Sequence, residues 1–305
     1  MISINTLKTK FTLIFITLGL IPAIIIGIVA TINGSNDVTD KVYSQLTAIN
    51  QIKKQAINNY FAERQGDMKV LVNIADAMQQ QSYQKLNSVN ALKKSQLEDY
   101  FDNNKKQLEL LASDSQLHSK VQALTDEFSN KSSWYRLLDK YDQQYKPLLS
   151  YFGWYDFFII NPNGIIIYSA TRESDLGQSI PKDLTTSSFN KAFELAKNTP
   201  EDNIQFADFL PYSPSNNDPA AFAIKALDVE GKRIGYIAYQ QPLDKINDIL
   251  GNRTGLGETG ESYLVGNDNL MRSDSYLNPN DYSVIASFSG NNKVQTQATK
   301  NALDG

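Results

Sequence analysis

The chain has 305 residues, no cysteine, one histidine and a net charge of −4 from 29 basic and 33 acidic side chains. That length suits about two domains. The missing cysteines exclude disulfides, cysteine nucleophiles and thiolate metal sites, and the balanced charge lacks the basic stripe of a nucleic-acid-binding protein.

Residues 11–32, FTLIFITLGLIPAIIIGIVATI, run 22 positions without a charge. A bilayer core takes about 20 apolar residues as helix, so this segment can span one, and Pro22 is tolerated there. Lys8 and Lys10 precede it, while Asp37 and Asp40 follow. The basic residues place 1–10 in the cytoplasm and the rest outside. The run exceeds the about 7–15 apolar residues of a cleaved signal peptide, and its small-residue signal is poor. An uncleaved anchor is expected.

Residues 34–130 contain no proline and two glycines, Gly34 and Gly66. This part repeats itself at an offset of 40. YSQLTAINQIKKQAINNYFAERQGDMKVLVNIA begins at Tyr43, and YQKLNSVNALKKSQLEDYFDNNKKQLELLASDS begins at Tyr83. Leu46 aligns with Leu86, Asn50 with Asn90, Lys53-Lys54 with Lys93-Lys94, Tyr60-Phe61 with Tyr100-Phe101, and Leu71 with Leu111. Two copies are too few for a solenoid, so residues 33–130 read as a duplicated helical stalk. Its apolar residues step by three and four, which makes a narrow stripe. Such a helix needs a partner: the later domain, itself, or a second subunit in coiled-coil-like packing. The Tyr-Phe pairs are then core or interface aromatics. His118, in QLHSK, reads as an exposed structural histidine, since no nucleophile is placed near it.

From residue 150 short apolar runs replace the helical period. DFFII (156–160) and IIIYS (165–169) predict a hairpin around Asn-Pro-Asn-Gly, with Pro162 at the first corner and Gly164 at positive φ. A helix is predicted over 187–198, capped by Ser187 or Ser188. Strands are predicted over 204–209, 220–227 and 233–241, the last two joined through Val229–Lys232, and a helix over 242–250. ESYLVG (261–266) and LMRSDS (270–275) predict a second hairpin, and VIASF (284–288) a further strand. The fold class is α+β. The five-stranded order is PAS-like and leaves a concave pocket between the sheet and its covering helix and loops.

YDFFIINPNGIIIYS, ESDLG (173–177), ADFLPYSPS (207–215), PAAFAI (219–224), GYIAYQQPLDKINDIL (235–250) and GLGETGESYLVGNDNLMRSDS (255–275) occur in order. Together they resemble the double Cache sensor domains of bacterial transmembrane receptors, over nearly the whole chain. The resemblance implies a stalk, a membrane-distal ligand-binding module over 131–250 and the start of a membrane-proximal module over 251–305. It also implies a second span and a cytoplasmic signalling part further on. Methyl-accepting chemotaxis proteins, histidine kinases and cyclases use such sensors, and a chemotaxis receptor in the inner membrane is the expectation. A small-molecule ligand, the membrane and a second copy paired through the stalk helix are the expected partners, with no cofactor and no nucleic acid. The family's amino-acid pattern is a tyrosine, an arginine followed by Trp-Tyr, and a later aspartate. Here Tyr168 is followed by Arg172 without the Trp-Tyr, and Asp208 stands for the aspartate, so amino-acid binding is not implied.

Five residues are candidate ligand contacts. Arg172 can pair a carboxylate in two-pronged fashion, and Asp208 can accept from an amine. Tyr168, Tyr212 and Tyr239 offer hydroxyls and ring faces. Pro211, Pro214 and Pro219 mark a loop that can cover the pocket. Gly255, Gly257 and Gly260 lack the strand and lysine of a phosphate loop and read as linker. An enzyme is not expected, because the β-rich part has no histidine, thiol or metal-ligand spacing. A ligand-free stalk explains the repeat but not the sheet.

Overall fold

The computed structural model describes residues 6–199 and 203–304. The first five residues of the expected cytoplasmic segment lie outside that set. The chain divides into two units, residues 1–81 and 82–305.

In the first unit the described residues belong almost wholly to helix α1, Leu7–Ala112. This helix is long and apolar enough to cross a membrane. Threonine hydroxyls in the apolar run turn back onto their own helix, Thr17 to Leu13 O at 2.9 Å and Thr31 to Gly27 O at 2.8 Å. Those bonds satisfy the hydroxyls where a bilayer supplies no donor or acceptor. The first copy of the repeat is exposed throughout, Ile57, Tyr60 and Phe61 included.

In the second unit α1 ends at Ala112, α2 spans Ser115–Glu127 and α3 spans Lys131–Phe152. Asp114 caps α2 by accepting from Gln116 N at 2.9 Å. His118 lies 2.7 Å from Ala112 O through Nε2, half-buried rather than exposed, and ties off the end of α1. Helix α3 is an addition to the expected stalk. Trp134, Leu138, Tyr141 and Tyr145 recur at helical spacing along it and are buried.

Strands β1 (Asp156–Ile160), β2 (Ile166–Ser169), β3 (Gln205–Tyr212), β4 (Asp218–Val229) and β5 (Lys232–Gln241) form one antiparallel sheet in the order β2-β1-β5-β4-β3. Short helices α4 (Ile180–Asp183) and α5 (Ser188–Lys197) lie between β2 and β3. Helix α6 (Leu243–Gly251) follows β5. All five residues of β1 are buried because the sheet is covered on both faces. Phe157 and Ile159 pack with Leu117, Val121, Leu138 and Tyr145 of α2 and α3, while Phe158 and Ile160 pack with Phe189, Ala192 and Phe193 of α5. Burial on both faces replaces the usual alternation with a continuous apolar run.

Two glycines set the sheet's geometry. Gly164 has φ +80, and an added Cβ would lie 2.8 Å from Phe193 Cζ. At Gly235 a Cβ would lie 2.4 Å from Ile160 O, so β5 can approach β1 only without a side chain there. Asn161 completes the first hairpin by accepting from Asn163 N and Ile165 N at 3.0 Å each.

The second copy of the repeat packs on this unit, against the sheet and helix α6. Leu97, Tyr100 and Phe101 meet Phe209, Ala221, Ile246 and Leu250. Lys93 Nζ donates to Leu250 O at 2.6 Å, at the C-terminal end of α6, where a cation suits the helix dipole.

The end of the chain differs from expectation. Residues 261–275 form a turn with a single bridge, Val265 to Met271, and no strand. Side chains take the backbone groups a ladder would use: Leu264 N donates to Ser273 Oγ, and Asp274 N to Asn247 Oδ1. VIASF is helical, within α8 (Val284–Gly290), and not a strand. Ser283 caps it by accepting from Ala286 N at 3.1 Å, which outweighs the strand preference of Val, Ile and Phe. Short helices α7 (Pro279–Tyr282) and α9 (Gln297–Asp304) complete the segment.

Candidate functional site

The sheet separates the five candidate residues. Tyr168 faces α3, fully buried, and its hydroxyl donates to Asp142 Oδ1 at 3.0 Å. Burial, with Asp142 beside it, pushes that hydroxyl well above the usual tyrosine range. Arg172, at φ 57, donates to Asp142 Oδ2 at 2.6 Å and to Asp139 Oδ1 at 2.8 Å. Tyr168 and Arg172 thus meet, but on a carboxylate of α3, which fastens the end of β2 to that helix.

Tyr239 is on the same face of the sheet, stacked on Trp154 with centroids 4.7 Å apart and planes 9° apart. Asp208 lies on the edge strand, beside the irregularity between Ala207 and Leu210. Its two oxygens accept from Arg272 Nε at 2.9 Å each, and Oδ2 also from Nη2 at 2.8 Å. Arg272 is 5% exposed, also pairs Asp268, and stacks over Phe288. Asp208 therefore anchors the C-terminal segment to the sheet.

Tyr212 alone of the five faces α5. Its hydroxyl donates to Asp175 Oδ2 at 2.6 Å. Asp175 is fully buried, and its Oδ1 finds no donor among the described residues. Burial pushes its carboxyl up to about 7; Asp156 and Glu173 add to the rise, and the Tyr212 bond opposes it. Gln240 stands opposite Asp156 on β1 and Phe222 on β4, and so shares this face. It is 5% exposed and its Oε1 is likewise unpaired.

Asp156 contrasts with Asp175. It accepts from the backbone N of Phe157, Ala170 and Thr171 and from the hydroxyls of Ser169 and Thr171. Burial raises its carboxyl while these five donors oppose the rise, and its role is to hold the β1–β2 end of the sheet together. The floor between these groups is aromatic. Phe189 of α5 stacks on Phe222 of β4 at 4.2 Å and 1°, with Phe158 and Tyr212 against them.

Two loops close over this end. Residues 170–179 are tied to the turn after β3 by Glu173 Oε2, which accepts from Ser215 Oγ at 2.7 Å, and by the Asp175–Tyr212 pair. Glu173 Oε1 accepts from Tyr155 Oη at 2.6 Å. Arg172, Asn216 and Asn217 in these loops all have positive φ, a cost borne where a loop must hold an unusual path. The proline-marked loop expected to cover a pocket is this turn, although Pro211 and Pro219 belong to β3 and β4.

Asp175 and Gln240 were absent from the sequence-derived set. Asp175 lies in ESDLG, where its neighbours are acidic and polar. Only the fold shows that it turns inward.

The other unpaired buried atoms among the described residues are Asn104 Nδ2 and Gln107 Oε1 of α1, Tyr145 Oη of α3, Arg172 Nε after β2, Asn190 Oδ1 of α5 and Gln241 Oε1 of β5. All but Arg172 are neutral, of the kind that buried water satisfies. A groove of about 790 Å³ runs between residues 90–101 of α1, residues 261–265 and α9. None of the five candidates lines it, and its polar groups are partnered: Lys93 by Leu250 O, Lys94 by Glu98, Asn90 by Ser262. Among the described residues no group of His, Cys, Asp and Glu is arranged to hold a metal ion.

No family model matches the chain, and no curated relative does. Solved structures do. The V. cholerae histidine kinase DctB sensor domain is 15% identical with a TM-score of 0.45, covering 61% of this chain and 64% of that one. The chain thus spans just under two thirds of that structure's length. The ligand-binding domain of the Pseudomonas aeruginosa amino-acid chemoreceptor PctC, in complex with GABA, is 11% identical with a TM-score of 0.42, covering 64% and 76%. The sensory domain of the Campylobacter jejuni chemoreceptor Tlp3 with isoleucine bound is 14% identical with a TM-score of 0.34, covering 67% and 81%. At these identities and scores the likenesses assign no residue and no ligand.

Proposed function

We propose that this chain is the sensing part of a bacterial transmembrane receptor, which holds PAS-like modules outside the inner membrane and converts small-molecule occupancy into helix movement. One observation carries the reading: α1 is a single helix with a membrane-competent apolar run near its start and, near its end, residues packed into the core of a five-stranded sheet. A change in the sheet that favours one position of that helix has a direct mechanical route along it. The ligand must bind one arrangement better than the other for a signal to arise.

The ligand site in this reading is the α5 face, beneath the two loops that the Asp175–Tyr212 pair joins. Residues 131–250 form the membrane-distal module and residues 251–305 open a membrane-proximal one. Two copies pair through exposed apolar residues of the stalk such as Val38, Val42 and Ile49. Chemotaxis is the output favoured by the sequence resemblance.

The test is a thermal-shift screen of the purified chain in detergent against a metabolite panel. A compound at about 100 times its Kd adds about 2.7 kcal/mol to stability. The reading expects at least one compound to raise the melting temperature without being consumed. Turnover of that compound, or a flat response across the panel, contradicts it.

A further inference from the structure

We propose that Asp175 works as a proton-operated clasp. Protonated, it keeps the loop 170–179 closed on Tyr212 at the end of β3; ionised, it releases that loop, so the module responds to the pH outside the membrane. This goes beyond the function proposed above, because the clasp opens and closes without a ligand.

The clasp joins two segments far apart in the chain. Asp175 is fully buried in the loop between β2 and α4, and its Oδ2 accepts from the Tyr212 hydroxyl at 2.6 Å. Its Oδ1 has no donor among the described residues. A neutral carboxyl tolerates those surroundings, whereas a carboxylate there needs donors or a cation in place of the water it has lost. The charged groups that face it are acidic, Asp156 of β1 and Glu173 of its own loop, and Tyr212 of β3 is the titratable group bonded to it. The basic groups turn elsewhere. Arg172 of the same loop pairs with Asp139 and Asp142, and Lys182, Asp183 and Lys191 of α4 and α5 are exposed to solvent.

Burial pushes the Asp175 carboxyl up to about 7, opposed by the Tyr212 bond and reinforced by Asp156 and Glu173. In a released loop the carboxyl meets water and returns toward the ordinary value near 3.8. The closed form therefore keeps a proton that the open form loses, from about pH 4 to about pH 7. Each pH unit gained within that window favours opening by about tenfold, and above it the effect levels off.

A switch of this kind needs an element with two arrangements that one charge can bias. The two loops supply it. Arg172, Asn216 and Asn217 hold φ values of 57, 56 and 64, a left-handed backbone that non-glycine residues adopt at a cost. The other tie between the loops, Ser215 Oγ donating to Glu173 Oε2 at 2.7 Å, is only part-buried. Asp175 is thus the buried half of the closure. Asp208, further back on β3, stays bonded to Arg272. Release at Tyr212 therefore frees the turn 213–217 without freeing the strand.

Opening is read at the loop amides. Gly177 N donates to Ile166 O at 2.8 Å, Gln178 N to Asp175 O at 2.9 Å and Asn217 N to Tyr212 O at 2.9 Å, so all three are shielded while the loops are closed. The experiment is hydrogen exchange of the full chain in detergent at about pH 5 and about pH 7.5, each rate divided by the chemical exchange rate at that pH.

At both pH values these amides are expected to be at least about tenfold less protected than those of β1 and β5, the mark of a local opening. Their protection should fall by at least about a further tenfold from the lower pH to the higher. Asp175→Asn keeps an acceptor for Tyr212 but cannot ionise, so its loop protection should change by less than about twofold. Tyr212→Phe removes the side-chain donor to the carboxylate, and should carry the loss on above about pH 7.5, where the wild-type chain has levelled off. That second variant decides the matter if Asp175→Asn does not fold. Loops that exchange only together with β1 and β5 overturn the clasp, since Asp175 then acts on overall stability alone. Loop protection that ignores pH overturns it too, as does a pH dependence that survives Asp175→Asn. Ligand sensing stands or falls separately, on the thermal-shift screen.

Discussion

Asp175 holds one oxygen on Tyr212 and, among the described residues, finds no donor for the other, within a fold that has removed it from water. Its folded-state value of about 7 lies above the ordinary aspartate value near 3.8. A raised carboxyl adds stability fully at pH below the ordinary value, and that contribution drains away as pH rises through about 7. The wild-type chain should lose stability between about pH 4 and about pH 7, by up to about 4 kcal/mol if the whole shift is expressed. In Asp175→Asn that slope should flatten, as read by denaturant midpoints across pH. Tyr212→Phe removes the side-chain donor to the carboxyl. It should cost about 2–3 kcal/mol at high pH and less at low pH, the signature of a bond to a charged group. A loss equal at both ends would mean the bond contributes only packing. Tyr212 was legible in the sequence as a polar aromatic near a loop. Its partner lies 37 residues away, and no local pattern pairs the two. The same holds for Asp208, whose partner Arg272 lies 64 residues on. Residue type suggested a ligand contact at Asp208, but the fold uses it as a brace.

At the scale of elements, local chemistry predicted most boundaries of the sheet and missed where caps outweigh composition. The hairpin around Asn161–Gly164, the cap at Ser187 and the turn at Glu230-Gly231, both at positive φ, stand where turn and cap residues predict them. VIASF carries strand-forming residues, yet Ser283 ahead of it starts a helix. Helix α3 was not anticipated, although its buried residues keep helical spacing; Pro147 near its end disguises it. Of the repeat's apolar stripe Leu97, Tyr100 and Phe101 reach the core around α6, while Leu86, Leu92 and the whole first copy stay exposed, and the coiled-coil packing expected for it is not seen among the described residues. Two predictions belong here. Phe189→Ala should destabilise the second unit by about 3–5 kcal/mol, because the ring it removes is stacked and fully buried. Ser187→Ala should cost about 1 kcal/mol through loss of the α5 cap. Both are read from chemical denaturation. A Phe189→Ala loss under about 1 kcal/mol would mean that α5 is loosely held.

For the whole molecule the C-terminal segment matters most, because the Arg272 guanidinium, together with Leu264 and Phe288 packed near Phe209 and Ala221, joins it to the sheet. Arg272→Ala leaves Asp208 exposed to water but removes three hydrogen bonds to that carboxylate and one to Asp268. Hydrogen exchange should quicken across residues 261–275 while the β1 and β5 amides keep their protection; equal quickening in the sheet would show that the segment is integral to its stability. The larger architecture, a long apolar helix followed by an antiparallel sheet, was readable from the sequence because a long uncharged run and short apolar runs between turn residues are strong signals.

The central claim is that the sheet lies on the far side of the membrane from the first residues. The chain has no cysteine, so a single introduced thiol reports its own location. Lys191→Cys on the exposed side of α5 and Lys8→Cys before the apolar run are treated with a membrane-impermeant maleimide in spheroplasts, before and after lysis. Labelling of Lys191→Cys in unlysed spheroplasts, with Lys8→Cys labelled only after lysis, is the predicted result. Protection of Lys191→Cys until lysis would contradict it.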